Sequence, residues 1–309
     1  MAVADLLDLV GDTPLVELKR LSPKPGVRIF AKLEGQNPTG SIKDRIALGL
    51  VRAAERRGAL TPGDTIIEAS SGNTAIALAF VAKQLGYRAR VVLPRGIAPS
   101  VRDILEVYEV EITWAEAGAG MAEAIELAQR IADAEGLYLL GQFSDPVNVD
   151  VHYRTTGAEI VRDLPDVDVF VAGIGTSGTV MGVGRRLREV SPEVQIIGIE
   201  PKLGEQLMGL RSLGEGFIPP LLDLGMLSGR YLVDSAQAFA CARELARAEG
   251  IIAGASSGAT LHGAIRAAER LDSGNIVVIF ADGGWKYLPS RPWEAAERGD
   301  ASLDEIHWW

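Results

Sequence analysis

Short apolar runs alternate with amphipathic segments along almost the whole chain. Eight of these runs have the length and composition of strands, namely RIFAKLE, TIIEA, RARVVLP, EITWA, YLLGQ, DVFVAGI, VQIIGIEP and NIVVIFADG. The segments between them, such as NTAIALAFVAKQLG, repeat apolar residues near the i, i+3, i+4 and i+7 spacing of a helix face. Continuous apolar strands are typical of parallel sheets that helices cover on both faces. The pattern predicts an α/β fold with doubly wound sheets.

Two clusters of Pro, Asn and Gly interrupt this alternation, near Gly35–Gly40 and Asp145–Asp150. A chain of 309 residues is long enough for about two domains. We therefore predict a smaller domain over residues 38–148 and a larger domain formed by residues 1–37 together with residues 149–309.

Composition and charge narrow the classes of partner. Apolar residues make up 47% and charged residues 23% of the chain, which is enough apolar material for a large core. The net charge of −10 disfavours nucleic acid and anionic membranes as partners. No run approaches the roughly 20 apolar residues of a membrane span, and the single cysteine, Cys241, excludes an internal disulfide framework. We predict a cytoplasmic protein with no membrane or nucleic-acid partner and no bound metal.

The stretch GIGTSGTVMGVG contains a complete G-x-G-x-x-G at Gly173, Gly175 and Gly178. It follows an apolar run and opens a predicted helix, and the acid Glu200 ends the next apolar run about twenty residues later. This arrangement matches the dinucleotide-binding fingerprint, so an NAD-dependent dehydrogenase is one candidate function. An ordinary glycine-rich turn between a strand and a helix is the simpler alternative.

Three hydroxyl residues in the same loop favour a different ligand. Thr176, Ser177 and Thr179 can each donate to a phosphate oxygen, beside the free backbone N–H groups at the start of the helix. That combination suits a terminal monophosphate better than a pyrophosphate, which bare backbone usually approaches. The loop also lies past the midpoint of the chain, whereas the dinucleotide fingerprint usually opens the first βαβ unit.

A second signal is GASSG, Gly254 to Gly258, which matches the G-x-S-x-G nucleophile elbow of α/β-hydrolases. Asp282 and His307 follow Ser256 in the order of that catalytic triad. However, the preceding IIA is a poor strand for a strained elbow, and His307 is the third residue from the end of the chain. A hydrolase is therefore the weaker interpretation of this motif.

The third signal is NPTGSIKDR, in which Lys43 lies at the start of a predicted helix after a Pro/Gly turn. The positive end of the helix dipole disfavours an ammonium at that point. We therefore expect Lys43 to have a lowered pKa and to act as an amine nucleophile of the kind that forms a Schiff base. A solvated surface lysine is the ordinary alternative.

A helix and a strand later, the run EASSGNTAIAL begins another predicted helix with polar residues. Hydroxyl and amide donors there lie beside the first N–H groups of the helix, at Ser70, Ser71, Asn73 and Thr74. Such a set forms an anion site of a size that suits a carboxylate. A well-capped helix without a ligand is the alternative.

Taken together, these stretches resemble the fold-type II pyridoxal-phosphate enzymes, the class of the tryptophan synthase β-subunit, and within it the cysteine synthase family. The resemblance covers nearly the whole chain through GDTPLVEL, NPTGSIKDR, SSGNT, QFSDPVN, HYRTTG, GIGTSGT, GIEP, EGIIAGASSG and ADGGWKYL. It implies two doubly wound α/β domains, the larger of which carries the phosphate loop, and pyridoxal 5′-phosphate as cofactor. It also implies a homodimer, and it leaves Glu200 with no ribose to hold.

The resemblance implies a role for each matched residue. Lys43 would bind the cofactor aldehyde and act as general base, Asn73 would hydrogen-bond the ring hydroxyl, and Ser256 would face the pyridine nitrogen. The loop residues that would hold the 5′-phosphate are Gly175, Thr176, Ser177, Gly178 and Thr179. The residues that would hold the substrate carboxylate are Ser70, Ser71, Asn73, Thr74 and Gln142.

The implied reaction is a β-replacement. An activated serine loses its β-substituent to give an α-aminoacrylate, and a sulfur nucleophile adds to this species to give L-cysteine. The segment EPKLGEQLMGLRSLGEGFIPP resembles the cysteine synthase B and O-phosphoserine sulfhydrylase branch, in which an arginine at the position of Arg211 binds substrate. A guanidinium suits a phosphate dianion, so O-phosphoserine is the favoured substrate and O-acetylserine the next. Sulfide, thiosulfate and the thiocarboxylate of a sulfur-carrier protein are all candidate sulfur donors.

Other functions stay open at this point. Cystathionine β-synthase and serine/threonine dehydratase share the implied fold, an NAD-dependent dehydrogenase belongs to a different class, and a catalytically silent homologue is a third alternative. The chain departs from the family's pattern in the substrate loop and in the segment IAPSVRDIL, at Ser70, Ala75, Ala98 and Ser100. The tail DEIHWW ends in Trp308 and Trp309. Our hypothesis is that this tail covers the active-site cleft, and the alternative is a contact elsewhere.

Overall fold

A computed structural model describes residues 4–95, 97–116, 120–205 and 207–290, and the backbone of residues 305–308. The strands in these residues are β1 (Leu15–Glu17), β2 (Val27–Leu33), β3 (Thr65–Ala69), β4 (Arg88–Leu93), β5 (Glu111–Trp114), β6 (Tyr138–Leu139), β7 (Val169–Gly173), β8 (Gln195–Pro201), β9 (Gly229–Val233), β10 (Gly274–Phe280) and β11 (Glu305–Trp308).

The α-helices in the same residues are α1 (Lys43–Arg56), α2 (Asn73–Leu85), α3 (Pro99–Val107), α4 (Met121–Glu135), α5 (Val147–His152), α6 (Ala158–Asp163), α7 (Gly178–Val190), α8 (Ser235–Glu249) and α9 (Ala255–Ala268). A π-helical turn, Tyr153–Gly157, joins α5 to α6. The short 3-10 helices are Leu6–Leu9, Glu34–Gln36, Leu213–Glu215, Leu224–Met226 and Trp285–Ser290. None of the helices in this part of the chain is long and apolar enough to cross a membrane.

The strands form two sheets within the described residues. The larger sheet has the order β1-β2-β10-β7-β8-β9-β11 and is parallel except for its edge strands, β1 and β11. The smaller sheet has the order β5-β4-β3-β6 and is parallel throughout. The predicted α/β fold is therefore confirmed. The smaller sheet lies within the range 38–148 that was predicted as one domain, and the domain boundaries themselves stay a prediction.

All eight predicted strands are present, but three further strands were missed. β1 is only three residues long, and β9 has the sequence GRYLV with alternating buried and half-buried positions. Neither forms the continuous apolar run by which the other strands were recognised. Each becomes a strand because a long neighbour, β2 or β8, offers it a row of hydrogen-bonding groups.

The third missed strand, β11, corrects the hypothesis about the tail. Its backbone pairs with β9 at the edge of the larger sheet, with Trp308 opposite Gly229. Gly229 begins β9, so Trp308 lies at the edge of the sheet opposite to the carboxyl ends of the parallel strands. This backbone position takes residues 305–308 away from the loops that follow β7 and β10, whereas Trp309 lies outside the described residues.

Two helices, α2 and α9, are packed on most of their faces. Small and apolar residues fill nearly all of α2, which lies between α1, α3 and the smaller sheet. In the same way α9 lies between α8 and the larger sheet. Because each helix is held on several sides, the residues at its first turn have fixed positions. Both first turns belong to motifs that the sequence singles out, SSGN and GASSG.

A buried ionic cluster fixes α1 to the larger sheet. The Arg45 guanidinium contacts the Glu34 carboxylate at 2.7 Å and the Glu159 carboxylate at 2.6 Å, and Lys32 Nζ lies 2.7 Å from Glu159. All four side chains are buried, and their formal charges cancel. Arg45 lies two residues after Lys43, so the cluster determines the position of the first turn of α1.

We expect Arg45→Met to lower the free energy of unfolding by about 3–5 kcal/mol, because it leaves two buried carboxylates without their main partner. Urea unfolding at neutral pH measures this change. The matched control is Arg52→Met, which removes an exposed arginine paired with Glu55 and is expected to cost less than about 1 kcal/mol. Equal stabilities of the two variants would contradict the structural role of the cluster.

Candidate active site

The turn before α1 fixes Lys43 at the carboxyl end of β10. Ser41 forms an antiparallel bridge with Asp282, and the Ile42 N–H donates to the Ala281 carbonyl at 2.8 Å. These contacts join the start of α1 to the residues that follow β10. Lys43 is therefore located at the edge of the sheet where the carboxyl ends of the parallel strands meet.

Burial lowers the pKa of Lys43 to about 8. The neighbouring Asp282 carboxylate opposes this shift, and the positive Arg211 adds to it. The lowered pKa agrees with the expectation from the sequence, but the main cause differs from the helix dipole that was invoked there. Loss of hydration in the cleft disfavours the ammonium, and this effect depends on residues that are distant in sequence.

The loop after β7 approaches the backbone of another loop very closely. A Cβ atom on Gly175 would lie 2.5 Å from the Gly209 carbonyl oxygen, and one on Gly178 would lie 1.8 Å from Asn148 Oδ1. Only glycine fits at these two positions without a shift of the neighbouring atoms. The N–H groups of the first turn of α7 face the cleft from this loop, and α7 has no side-chain cap.

The hydroxyl residues of this loop have different surroundings. Ser177 has a φ of +70°, and its Oγ is buried without a hydrogen-bond partner among the described residues. Thr176 Oγ1 accepts from Asn148 Nδ2 at 3.0 Å, and Thr179 Oγ1 lies 3.2 Å from His152 Nε2. Burial lowers the pKa of His152 well below its usual value, with Arg45 and Lys43 adding to the effect, so its ring is neutral at pH 7.

Ser256 lies on the opposite side of the same cleft. It is the second residue of α9 and is 7% exposed. Gly254 just before it packs against Asp282, because a Cβ at that position would lie 2.1 Å from Asp282 Oδ1. The GASSG motif therefore forms the start of a buried helix, rather than a nucleophile elbow.

The loop before α2 is held by its own side chains and by Gln142. Ser70 Oγ accepts hydrogen bonds from the N–H groups of Gly72 and Ala75 at 3.0 and 3.2 Å. Thr74 donates to Gln142 Oε1 at 2.7 Å, and Gln142 Nε2 donates to the Ala69 carbonyl at 2.8 Å. Gln142 thus connects the loop to the smaller sheet while it lines the cleft.

Asn73, the first residue of α2, is surrounded by charged groups. Its Nδ2 donates to Asp282 Oδ2 at 2.8 Å, and its Oδ1 accepts from Lys286 Nζ. Lys286 Nζ also lies 3.3 Å from Asp282 Oδ2, and the Tyr287 hydroxyl donates to the same carboxylate oxygen.

Arg211 is held by two aromatic rings at the mouth of the cleft. Its guanidinium carbon lies 5.2 Å from the Phe143 ring centroid and 5.3 Å from that of Phe217. The two rings are perpendicular to each other, with centroids 5.9 Å apart. Burial lowers the pKa of Arg211, and Glu215 partly opposes this shift. A guanidinium stacked in this way has few rotamers left to lose on binding a ligand.

The structure brings the predicted site residues together around one cleft, apart from Gly178, which packs behind it. One part of the cleft is lined by Lys43, Asn73, Gly175, Thr176, Ser177, Thr179 and Ser256, among others. The adjoining part is lined by Lys43, Ser70, Ser71, Asn73, Thr74, Gln142 and Arg211, among others. Lys43 and Asn73 belong to both parts and lie between them.

The dinucleotide site and the hydrolase triad each lack a residue that they require. Glu200 is buried, pairs with Arg230 and accepts the Leu213 N–H at 2.6 Å, so its carboxylate is occupied and has no place at a ribose. His307 lies in β11, four strand spacings from β10 and Asp282, which is a separation of about 19 Å. Neither the dinucleotide site nor the hydrolase triad is therefore assembled.

The model of the pyridoxal-phosphate dependent enzyme family matches residues 6–282 of the chain. The chain belongs to this family. A cysteine synthase of Staphylococcus aureus is 38% identical over 296 residues, which cover 93% of this chain and 96% of that protein. Cysteine synthase B of Salmonella typhimurium is 40% identical over 280 residues, or 90% and 92% of the two chains.

Solved structures agree with these relatives. The structure of an O-ureido-L-serine synthase is 34% identical, with a TM-score of 0.90 over 97% of this chain and 98% of that one. The structure of a cysteine synthase from Entamoeba histolytica is 31% identical, with a TM-score of 0.88 over 98% and 93% of the two chains. These findings confirm the cysteine synthase family, the cofactor pyridoxal phosphate and a β-replacement that forms cysteine from an activated serine.

The residues of the cleft fit this cofactor. The unpartnered, buried Ser177 hydroxyl and the glycine-lined start of α7 leave donors for a phosphate group. Lys43 offers an amine of lowered pKa to an aldehyde across the cleft. When bound, pyridoxal phosphate supplies an electron sink that acidifies the Cα–H bond of an amino-acid substrate.

We expect the apoprotein to capture pyridoxal phosphate at a rate that rises with pH up to about 8 and then levels off. Only the neutral amine attacks an aldehyde, and the pKa of Lys43 is about 8. Below that pH, each unit of acidification lowers the reactive fraction about tenfold. Stopped-flow absorbance across a pH series measures the rate. A rate that continues to rise towards the usual lysine pKa of 10.5 would show that Lys43 is hydrated rather than buried.

Sequence reasoning missed several residues of the cleft. Asp282 was considered only as part of a hydrolase triad, and Lys286, Phe143 and Phe217 received no role. The motif ADGGWKYL contains Asp282 and Lys286 and was the available signal. Their contact with Asn73 joins positions more than two hundred residues apart, which no local pattern reports.

Proposed function

We propose that this enzyme makes L-cysteine from O-phosphoserine and a sulfur donor, and that O-acetylserine is the poorer substrate. The observation that carries the proposal is Arg211. It lines the same part of the cleft as Lys43 and the SSGNT loop, and its side chain is half-buried, which lowers the pKa of its guanidinium. Among the described residues, no carboxylate pairs with it at ion-pair distance. A half-buried guanidinium without an ion-pair partner favours a ligand with a dianionic phosphate, whereas an acetyl group needs no cation.

The SSGNT loop supports the binding of the substrate carboxylate. Ser71 lines the cleft, and the Ser70 hydroxyl, whose oxygen already accepts two N–H bonds, keeps its own proton for a ligand. The Thr74 hydroxyl already donates its proton to Gln142, so Thr74 and Gln142 would position each other beside the carboxylate. The carboxylate would thereby be held at the amino end of α2, and the phosphate of the same substrate would reach Arg211.

Lys43 would move the proton in this reaction. Its amine would hold the cofactor aldehyde in the resting enzyme and, once released, would take the proton from Cα of the substrate. A pKa of about 8 suits this role, because roughly a tenth to a fifth of the amine is then neutral near physiological pH, far more than at the usual lysine pKa. Arg211 would stabilise the departing phosphate, and the sulfur donor would then add to Cβ.

The first turns of α2 and α9 and the loop after β7 would hold the ring and phosphate of the cofactor. Asn73 would hydrogen-bond the ring hydroxyl, and Ser256 would face the ring nitrogen from the start of α9. A serine hydroxyl at the nitrogen does not keep a proton there as a carboxylate does, which favours loss of the β-substituent. The phosphate would be held by Gly175, Thr176, Ser177, Gly178 and Thr179.

The test is a comparison of kcat/KM for O-phosphoserine and O-acetylserine with sulfide, with L-cysteine measured as product. We expect O-phosphoserine to be preferred by at least about tenfold, the effect of one favourable charged contact. A preference for O-acetylserine would overturn the proposal. Homocysteine in place of sulfide, and assays for a keto acid, separate the cystathionine and dehydratase activities. Repeating the assay with thiosulfate or a protein thiocarboxylate identifies the sulfur donor.

The homodimer, the cytoplasmic location and a sulfur-carrier partner remain predictions. The homodimer is tested by sedimentation of the purified holoenzyme. A sulfur-carrier partner is tested by the thiocarboxylate assay above.

A further inference from the structure

Asn73 lies between a group that can only donate a hydrogen bond and a group that can only accept one. The Lys286 ammonium donates to one end of the amide, and the Asp282 carboxylate accepts from the other end at 2.8 Å. Exchanging the two ends would place N–H groups against an ammonium and a carbonyl against a carboxylate. The Asn73 amide therefore has a single favourable orientation, and Lys286 is one of the two groups that determine it.

Lys286 also neutralises Asp282. The two side chains are 3.3 Å apart, and they are only 10% and 2% exposed, so water screens neither charge well. Asp282 is close enough to Lys43 to raise its pKa. A cation beside Asp282 therefore limits the negative potential at Lys43.

The other charged and titratable groups around this pair do not replace Lys286. Asp44, on α1, is an anion whose pKa Lys286 lowers, although burial raises that pKa to about 6 overall. Tyr287 donates to Asp282, and burial raises its pKa well above the usual value, so it carries no charge. Arg211 also faces Lys43.

A contact with α3 fixes the backbone of Lys286. Its backbone carbonyl accepts from the Ser100 hydroxyl at 2.6 Å, which joins α3 to the 3-10 helix Trp285–Ser290. Ser100 is one of the positions at which the chain departs from the pattern of its family. The Lys286 side chain thus starts from a fixed point and reaches Asn73 and Asp282 together.

We infer that Lys286 is a positioning residue of the active site, which orients the Asn73 amide for the cofactor and compensates the charge of Asp282 beside Lys43. It does so through its ammonium, which contacts both side chains. This inference rests on the proposed roles of Lys43 and Asn73 toward pyridoxal phosphate, and it is independent of which serine ester is the substrate.

The experiment measures pyridoxal phosphate binding to the apoprotein, without turnover. Lys286→Met is expected to weaken the affinity about tenfold, because a charge-assisted hydrogen bond to Asn73 is lost. It is also expected to move the pH midpoint of cofactor capture upward by about half a unit or more, because Asp282 is then uncompensated. Lys286→Arg, which keeps a cation that only donates, should stay close to the wild type in both measurements.

A double variant separates charge from packing. Lys286→Met combined with Asp282→Asn removes both charges and is expected to return the midpoint toward that of the wild type. The control is Lys83→Met, which replaces an exposed lysine paired with Glu109 and should change neither quantity. An unchanged midpoint in Lys286→Met would overturn the inference, as would equal losses in Lys286→Met and Lys286→Arg. Because cofactor binding is the readout, a failure here is distinct from a failure of the proposed O-phosphoserine preference.

Discussion

Replacing Lys43 with alanine is expected to lower the rate of cysteine formation by at least about a thousandfold. A positioned general base alone contributes roughly 10²–10⁴ in rate, and Lys43 is in addition the amine proposed to hold the cofactor. Lys43 has a pKa near 8, and among the described residues it is the only titratable side chain that lines both parts of the cleft. The Lys43→Ala variant should still fold, because the substitution replaces a buried amine with a small apolar side chain.

Two measurements check this prediction. Cysteine formation gives the loss of activity, and borohydride reduction followed by peptide mass spectrometry gives the site of covalent attachment. Lys83→Ala is the matched control and should retain full activity, since that lysine is exposed. Covalent cofactor on Lys286 in wild-type enzyme would contradict the assignment, because Lys286 is the lysine that contacts Asn73 and Asp282 beside the cleft.

Replacing Arg211 with leucine is expected to separate the two serine esters. With O-phosphoserine, kcat/KM should fall by roughly 30- to 1,000-fold, which corresponds to the 2–4 kcal/mol typical of a buried charged contact. With O-acetylserine the change should be less than about threefold, since that substrate carries no phosphate for the guanidinium to bind. Leucine keeps an apolar contact with Phe143 and Phe217, so the mouth of the cleft is preserved.

Arg211→Lys refines the same prediction. Lysine keeps the charge but neither the planar stacking between the rings nor the two parallel hydrogen bonds to phosphate, so activity with O-phosphoserine should be intermediate. Arg52→Leu, at an exposed position on α1, is the control. Equal losses of kcat/KM with both esters would show that Arg211 acts through packing rather than by binding phosphate. O-Acetylserine would then be the favoured substrate.

The sequence predicted most of the fold because its signals are local. Many of the eight predicted strands are continuous apolar runs, and the carboxyl ends of several of them carry the motifs that line the cleft. What it missed were the short edge strand β1 and the strand β9, whose pairing depends on a longer neighbour. The tail shows the same limit, since residues 305–308 pair with β9 through backbone groups that no composition reveals.

The sequence by itself determined the family, the cofactor and many of the polar residues that line the cleft, because close packing against a phosphate or a backbone restricts residue type at fixed spacings. Gly175 and Ser177 are such positions. Only the tertiary structure decided the electrostatics. The pKa of Lys43 depends on burial, Asp282 and Arg211, and the orientation of Asn73 depends on Asp282 and Lys286. Hydration and Coulomb energies are set by distances in space, and these residues come together only when the first turn of α2 contacts the residues that follow β10.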